Sequence, residues 1–344
     1  MIFYLGTYTE GTDSKGIYTL EFNEETLKLE ILNTTMSVNP SFLARDKDML
    51  YAANEMRNQS GYTKFLIEED YSLKLMQQLL SEGYGTCHIA VNNDINALFL
   101  ANYSSGDIVG FRPTESSKED VFTFYIKYSG SGPNERRQKA PYAHSTNISP
   151  NGKHLVVTDL GTDKLMVYDI LGDGNIRDNE ENATVYVGPG EGPRHLCFHP
   201  TQSKLYVVTE LLNSVISFDY DSITGGITRR DVFSILPEGF TTPSTSAEIC
   251  LSKDAKFLYA SNRGWDGIAA FAVDNDGNIS PSGFYESFGK TPRSFMITDD
   301  DRYFVIAYQD SDLVVIVQRD INTGAMGDII ASISIPSPVC IIPF

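Results

Sequence analysis

A doublet of short apolar strands joined by a polar turn recurs six times in this chain, and a seventh copy is split between its two ends. The copies begin at Pro40 (PSFLARDKDMLYAANE), Thr86 (TCHIAVNNDINALFLANY), Ala143 (AHSTNISPNGKHLVVTDL), Pro193 (PRHLCFHPTQSKLYVVTEL), Ser246 (SAEICLSKDAKFLYASNR) and Pro292 (PRSFMITDDDRYFVIAYQ). A third alternating strand follows each doublet, as in NSVISFDY or DLVVIVQR, and then a less regular fourth. Superposing the first strands aligns Ser41, Cys87, His144, Arg194, Ala247, Arg293 and Val339. Four short strands repeated every 40–50 residues or so is the pattern of a β-propeller blade. No helical periodicity of useful length competes with it. The tail PVCIIPF is a first strand lacking its second, and MIFYLGTYT is a second strand lacking its first. Joined, they complete a blade and leave no free sheet edge. The expectation is therefore one all-β domain over residues 1–344. It is a seven-bladed β-propeller with four antiparallel strands per blade, its ring closed by N- and C-terminal strands that share a blade.

Charge narrows the partners. With 27 Lys+Arg against 45 Asp+Glu the net charge is −18. That field repels nucleic acid and anionic membrane surfaces, and it admits an anionic ligand only where a local cationic pocket reverses the sign. No apolar run approaches the roughly 18 residues of a membrane span, and the N-terminus shows no basic stretch followed by a long apolar one. The four cysteines, Cys87, Cys197, Cys250 and Cys340, form no CxxC pair and lie in apolar strands. They read as buried thiols in a reducing cytoplasm. A monomer or a weak homodimer is expected.

The stretch GPRHLCFHP (Gly192–Pro200) opens an apolar strand with Arg194 and His195, both costly to bury unless paired or bound. In a propeller blade the first strand lines the central channel and the second runs antiparallel to it. The start of the first and the end of the second thus meet at one mouth. First strands bring His144, Arg194, His195, Glu248 and Arg293 there. Second-strand ends bring Glu55, Tyr103, Glu210, Arg263 and Gln309, with Tyr8 and Leu160 completing the ring. Three arginines, two histidines and three carboxylates make a cationic funnel, and arginine forks match carboxylate or phosphate. The competing structural reading is inter-blade ion pairing, Arg194 with Glu210 or Glu248 and Arg263 with Glu55. The opposite hairpin ends, SPNGK, HPTQSK, SKDAK and TDDDR, read as solvated turns. His154 and His199 on that side are expected to be structural.

HSTNISPNGKHL, GPRHLCFHP followed by LYVVTELLNSV, and AEICLSKDAKFLYASNRG resemble the seven-bladed propeller lactonases of the 6-phosphogluconolactonase type. The likeness covers essentially the whole chain, and GPRH with the following TEL is its most specific part. The family is also similar to a fungal carboxy-muconate cyclase. The resemblance implies a catalytic set of His144, Arg194, Glu210 and Arg263. The implied reaction is hydrolysis of a small anionic sugar lactone, 6-phosphogluconolactone to 6-phosphogluconate in the pentose phosphate pathway. His195, Arg293, Glu248, Glu55, Tyr103 and Gln309 are the expected substrate contacts. Thr209, where many relatives have Asn, and Glu248, where some have Asp, depart from the pattern and leave the substrate open.

His144 is the expected general base, since an unperturbed histidine titrates near pH 6.5, with Glu210 orienting it or the water or acting as the acid. Arg194 and Arg263 are expected to stabilise the oxyanion or to hold a substrate carboxylate or phosphate, Arg194 standing at an open mouth where its substitution costs little stability. No cofactor is expected, because P-loop, GxSxG and HExxH motifs are absent. No metal is expected either. Other propeller lactonases hold calcium, which Glu55, Glu210, Asn54 and Asn102 could imitate, but the adjacent arginines oppose a dication. A muconate-type lactonizing cycloisomerase and a non-catalytic binding scaffold remain as alternatives.

Overall fold

The computed structural model describes residues 1–114, 118–286 and 288–344. These residues form seven antiparallel sheets, numbered here as blades 1 to 7 from the N-terminus. Six have four strands. In blade 4 the third strand, Lys164–Gly172, pairs with both Asn175–Asp178 and Thr184–Tyr186, so a fifth short strand shares its outer edge. Blade 1 is the composite one: Pro338–Pro343 pairs antiparallel with Ile2–Thr7, Phe3 opposite Pro343 and Gly6 opposite Cys340.

Inner strands are buried on both faces because each blade is sandwiched between two others, so they read as continuous apolar runs such as Tyr303–Tyr308, YFVIAY. Outer strands face solvent, as in Ile227–Ser234, ITRRDVFS. The apolar core is correspondingly divided into clusters, one at each junction of neighbouring blades. The cluster joining blades 7 and 1 packs Phe3, Leu5 and Leu20 against Val305, Val314 and Ile316, which closes the ring. The helical elements among the described residues are two 3-10 turns, Asn93–Ile95 and Gln309–Ser311, and no helix is long and apolar enough to cross a membrane. All four cysteines are free thiols.

A register shift repeated in every blade positions the site. In blade 5 Pro193 faces Thr209 and His195 faces Val208, so Arg194 has no opposite residue. The same shift isolates Ser41, Cys87, His144, Arg293 and Val339. In blade 6 it falls on Ala247 and Glu248. The aligned sequence positions are thus β-bulges, which bend the strand and re-aim a side chain out of the ladder.

A second device holds the neighbouring ring. The N–H groups of Tyr8, Glu55, Tyr103, Leu160, Glu210 and Gln309 donate to the carbonyls of Ser337, Asn39, Gly85, Tyr142, Gly192 and Thr291, at 2.8–3.1 Å. Each acceptor lies two residues before its blade's bulge. Five of the six have positive φ, which turns the carbonyl toward the ring. Gly192, at φ 63°, adopts this at no Cβ cost. Thr291, at 61°, is β-branched and holds it under strain.

Candidate active site

The two rings meet in a cavity of about 210 Å³ at one mouth of the channel. Second-strand ends contribute Tyr8, Glu55, Tyr103, Glu210 and Arg263, and bulges contribute Cys87, His144 and Arg293. Arg137 enters from the loop between blades 3 and 4. Burial pushes the Cys87 thiol well above its ordinary range, so it is no thiolate nucleophile.

Glu210 is the electrostatic centre. Its carboxylate pairs with Arg137, lies 3.0 Å from Arg263 Nη2 and 3.3 Å from Arg194 Nε. Burial alone would raise its pKa, but Arg263, then Arg194 and Arg137, outweigh burial and hold it at about 2. The arginines feel one another in turn. Burial lowers Arg263 to about 10 against the pull of Glu210, and Arg194 and Arg293 add to the lowering. One carboxylate therefore gathers three guanidiniums without neutralising them. The Nε–H of Arg263 is buried with no hydrogen-bond acceptor among the described residues. A donor left unmet in this way costs about 1–3 kcal/mol, so it is prepared for an acceptor oxygen on a ligand.

His144 lacks the orienting hydrogen bond to Glu210 that the sequence led us to expect. Its Nε2 is 3.9 Å from Glu210, beyond hydrogen-bond reach, and its Nδ1 is buried without a partner among the described residues. Burial first, then Arg194, His195 and Arg293, push its pKa well below 6.5. The ring is neutral, and protonating it would add a cation beside two guanidiniums. It packs edge-on against Tyr103, which stacks on Tyr142.

Three other expected contacts lie deeper than the sequence suggested. Arg194 does not line the cavity and is 3% exposed. It sits behind Glu210 and donates to the Ala247 carbonyl of blade 6 at 2.6 Å, clasping two blades. The open-mouth placement of Arg194 is therefore corrected, and its pairing with Glu210 is the structural alternative read from sequence. His195 and Glu248 pair with each other at 2.9 Å beneath the cavity, and the His195 ring packs against Phe42, His88 and His144. His195 is a buried channel group because the first residue after its bulge returns to the ladder, opposite Val208, whereas Glu248 lies in the blade 6 bulge and is partly buried. The alternative Arg263–Glu55 pair is not formed among the described residues; Arg263 turns to Glu210 and the Ser246 carbonyl.

Glu55 instead accepts from the Tyr8 hydroxyl at 2.7 Å, and Tyr8 accepts from Arg293 Nη2 at 2.7 Å. Burial raises the Tyr8 phenol, which keeps its proton. Tyr8 and Glu55 also wall a second cavity of about 520 Å³, where Gln309 is found with Asn39, Glu10 and Arg57. Gln309 is thus separated from Arg137, Arg263 and Arg293 by that wall. Asn54 and Asn102 point inward, to the Val38 carbonyl and Asp107, rather than to the mouth. Among the described residues no three His, Cys, Asp or Glu side chains gather as metal ligands.

Arg137 escaped sequence reasoning because it lies outside the repeat. Its trace was the longest interval between aligned positions, Cys87 to His144, together with the basic pair in NERRQK. Asn134 Oδ1 accepts the N–H of Arg136 and Arg137, and buried Gln138 donates to the Leu160 carbonyl and Asp163. This inserted loop is therefore pinned over the mouth.

The chain matches the family described as lactonase, 7-bladed β-propeller, over residues 2–343. It is 32% identical to a 6-phosphogluconolactonase of Bacillus subtilis, covering 98% of this chain and 97% of that one. A crystal structure from Bacteroides fragilis is 33% identical with a TM-score of 0.90, covering 99% and 97%. The periplasmic gluconolactonase of Pseudomonas aeruginosa is 27% identical with a TM-score of 0.93, covering 99% and 98%. Its seven bladed sheets, the closed ring and the full-length match together make this chain a member of the seven-bladed β-propeller lactonases.

Proposed function

We propose that the protein hydrolyses an anionic sugar-acid lactone, 6-phosphogluconolactone, at the arginine-lined cavity. The observation that carries this reading is a reversal of sign. Three guanidiniums, Arg137, Arg263 and Arg293, face two carboxylates, Glu55 and Glu210, in a chain of net charge −18. A local cationic site in an acidic protein selects small anions and stabilises an oxyanion as it forms. The resemblance to the Bacillus 6-phosphogluconolactonase supports the phosphorylated lactone. The Pseudomonas relative supports a plain sugar lactone as a second substrate.

In this reading Arg263 donates to the developing oxyanion and Arg293 with Arg137 holds the substrate's anionic group. Glu210 keeps the guanidiniums converged and Arg194 supports Glu210 from behind. The four free thiols support a reducing compartment, and we place the protein in the cytoplasm. The test is acid release from 6-phosphogluconolactone, glucono-δ-lactone and a muconolactone, each against its spontaneous rate. Faster hydrolysis of the phosphorylated lactone is the expected result. Turnover of the muconolactone alone favours cycloisomerase chemistry, and spontaneous rates throughout overturn the proposal.

A further inference from the structure

Lactone hydrolysis needs a group that accepts the proton of the attacking water. Burial pushes up the pKa of Tyr8, Tyr103 and Cys87, which keep their own protons, and leaves two carboxylates and one imidazole at the cavity. Glu210 is engaged by three guanidiniums, and its carboxylate is a correspondingly weak acceptor. A proton on His144 would stand among the arginines. Glu55 is placed otherwise. Its Oε2 accepts one hydrogen bond from Tyr8, its Oε1 makes none, and no cation lies within ion-pair distance, all among the described residues. It borders both cavities, the arginine pocket on one side and the larger, partly exposed one on the other.

Its geometry is fixed from two directions. Arg293 donates to the Tyr8 oxygen, which leaves the Tyr8 proton for Glu55. Asn39, 4% exposed, binds both walls: its carbonyl accepts from Glu55 N–H and its Nδ2 donates to the Glu55 carbonyl, while its Oδ1 accepts from Thr9 N–H and Glu10 N–H. We infer that Glu55 is the proton acceptor of the hydrolysis, with Tyr8 and Asn39 as its positioning residues; the assignment rests on the lactone-hydrolase reading of the site. Glu55 takes a proton from a water at its free Oε1, within the arginine pocket, as the water oxygen bonds to the lactone carbonyl carbon. The carbonyl electron pair moves onto its oxygen, beside the guanidiniums. On collapse the bond from that carbon to the ring oxygen breaks, and the ring oxygen takes the proton from Glu55. The products are the hydroxy acid and the regenerated carboxylate.

The experiment is steady-state kinetics of the full chain, as wild type, Glu55→Gln and Glu55→Gly, on glucono-δ-lactone and 6-phosphogluconolactone, with and without added formate. Both variants are expected to lose about 10²–10⁴-fold in kcat with KM within a few-fold of wild type. Formate restores part of the rate to Glu55→Gly, where a small carboxylate fits in place of the side chain, and not to Glu55→Gln. Melting temperature, read on each variant, separates these losses from misfolding. An active wild type with an equally active Glu55→Gln overturns the assignment and leaves the lactonase reading standing. A raised KM without formate rescue makes Glu55 a substrate contact and also overturns it. Wild type at the spontaneous rate on both lactones removes the lactonase reading itself.

Discussion

Glu210 of blade 5 and Glu55 of blade 2 occupy the same place in their blades, one residue past the second strand, each tethered by its N–H to a carbonyl before the first strand. Their surroundings are opposite. Glu210 is 5% exposed and gripped by three guanidiniums, whereas half-buried Glu55 accepts a single neutral hydroxyl. The repeat sets where a side chain stands, and the neighbouring blades set what it can do there. Glu210 organises charge, and Glu55 keeps a free oxygen.

The sharpest way to break this contrast is to neutralise each carboxylate. Glu210→Gln leaves a buried cluster of cations without its anion, and breaking a buried pair from one side costs about 3–5 kcal/mol. Urea unfolding should show a loss of that size, while Glu55→Gln, which keeps an acceptor oxygen for the single Tyr8 hydroxyl, should cost about 1 kcal/mol or less. Equal losses in the two variants would erase the distinction. Next in size, Arg263→Lys keeps the charge but removes the planar fork and the unmet Nε donor. Its kcat/KM should fall about 10²–10³-fold, the effect of removing one oxyanion donor, and near-normal kcat/KM would take Arg263 out of the reaction.

Arg194→Lys tests the clasp. The buried bond to the Ala247 carbonyl and the contact with Glu210 are lost together, and stability should drop by about 1–3 kcal/mol. Turnover should fall with it as Glu210 shifts. An unchanged melting temperature would return Arg194 to the open mouth.

Acidification probes the buried rings of the channel. His88, His144 and His195 all have folded pKa values pushed below 6.5, by burial first. The unfolded chain therefore binds more protons, so the stability from burying these rings is complete above about pH 6.5 and is lost as pH falls toward the folded values. Each proton taken up contributes at most about 1.4 kcal/mol per pH unit. Glu210 adds a further loss between its ordinary 4.5 and about 2. Denaturant titrations from pH 8 to 3 should slope downward from about 6.5, less steeply in His144→Asn, and a flat profile would contradict neutral burial.

The smallest effect belongs to the rim. Arg137, with 38% of its side chain exposed, should contribute at most about 1 kcal/mol to stability. Arg137→Gln should raise KM for a phosphorylated lactone, and the difference from wild type should shrink in high salt as screening takes over. A KM defect that salt leaves untouched would point to shape rather than charge.

Much of the site was legible because the repeat is. Aligning His144, Arg194 and Arg293 located the bulges without any knowledge that they were bulges, and the second-strand ends identified five of the nine cavity residues. Arg137 was hidden because it sits in an insertion with no counterpart in the other blades. Arg194 and His195 look alike in GPRH as polar residues opening a strand, and nothing in their order says that both would be buried beneath the mouth.

The sequence by itself determined the period, hence a closed ring of blades, and the backbone positions that converge at one mouth, because hairpin geometry is local and repeats with the motif. Only the tertiary structure decided the chemistry of those positions. Protonation and pairing depend on what lies within a few ångströms and on how much water is excluded. For Glu210 that means Arg137 and Arg263, and for Tyr8 it means Arg293, brought together from separate blades across intervals the chain order does not reveal.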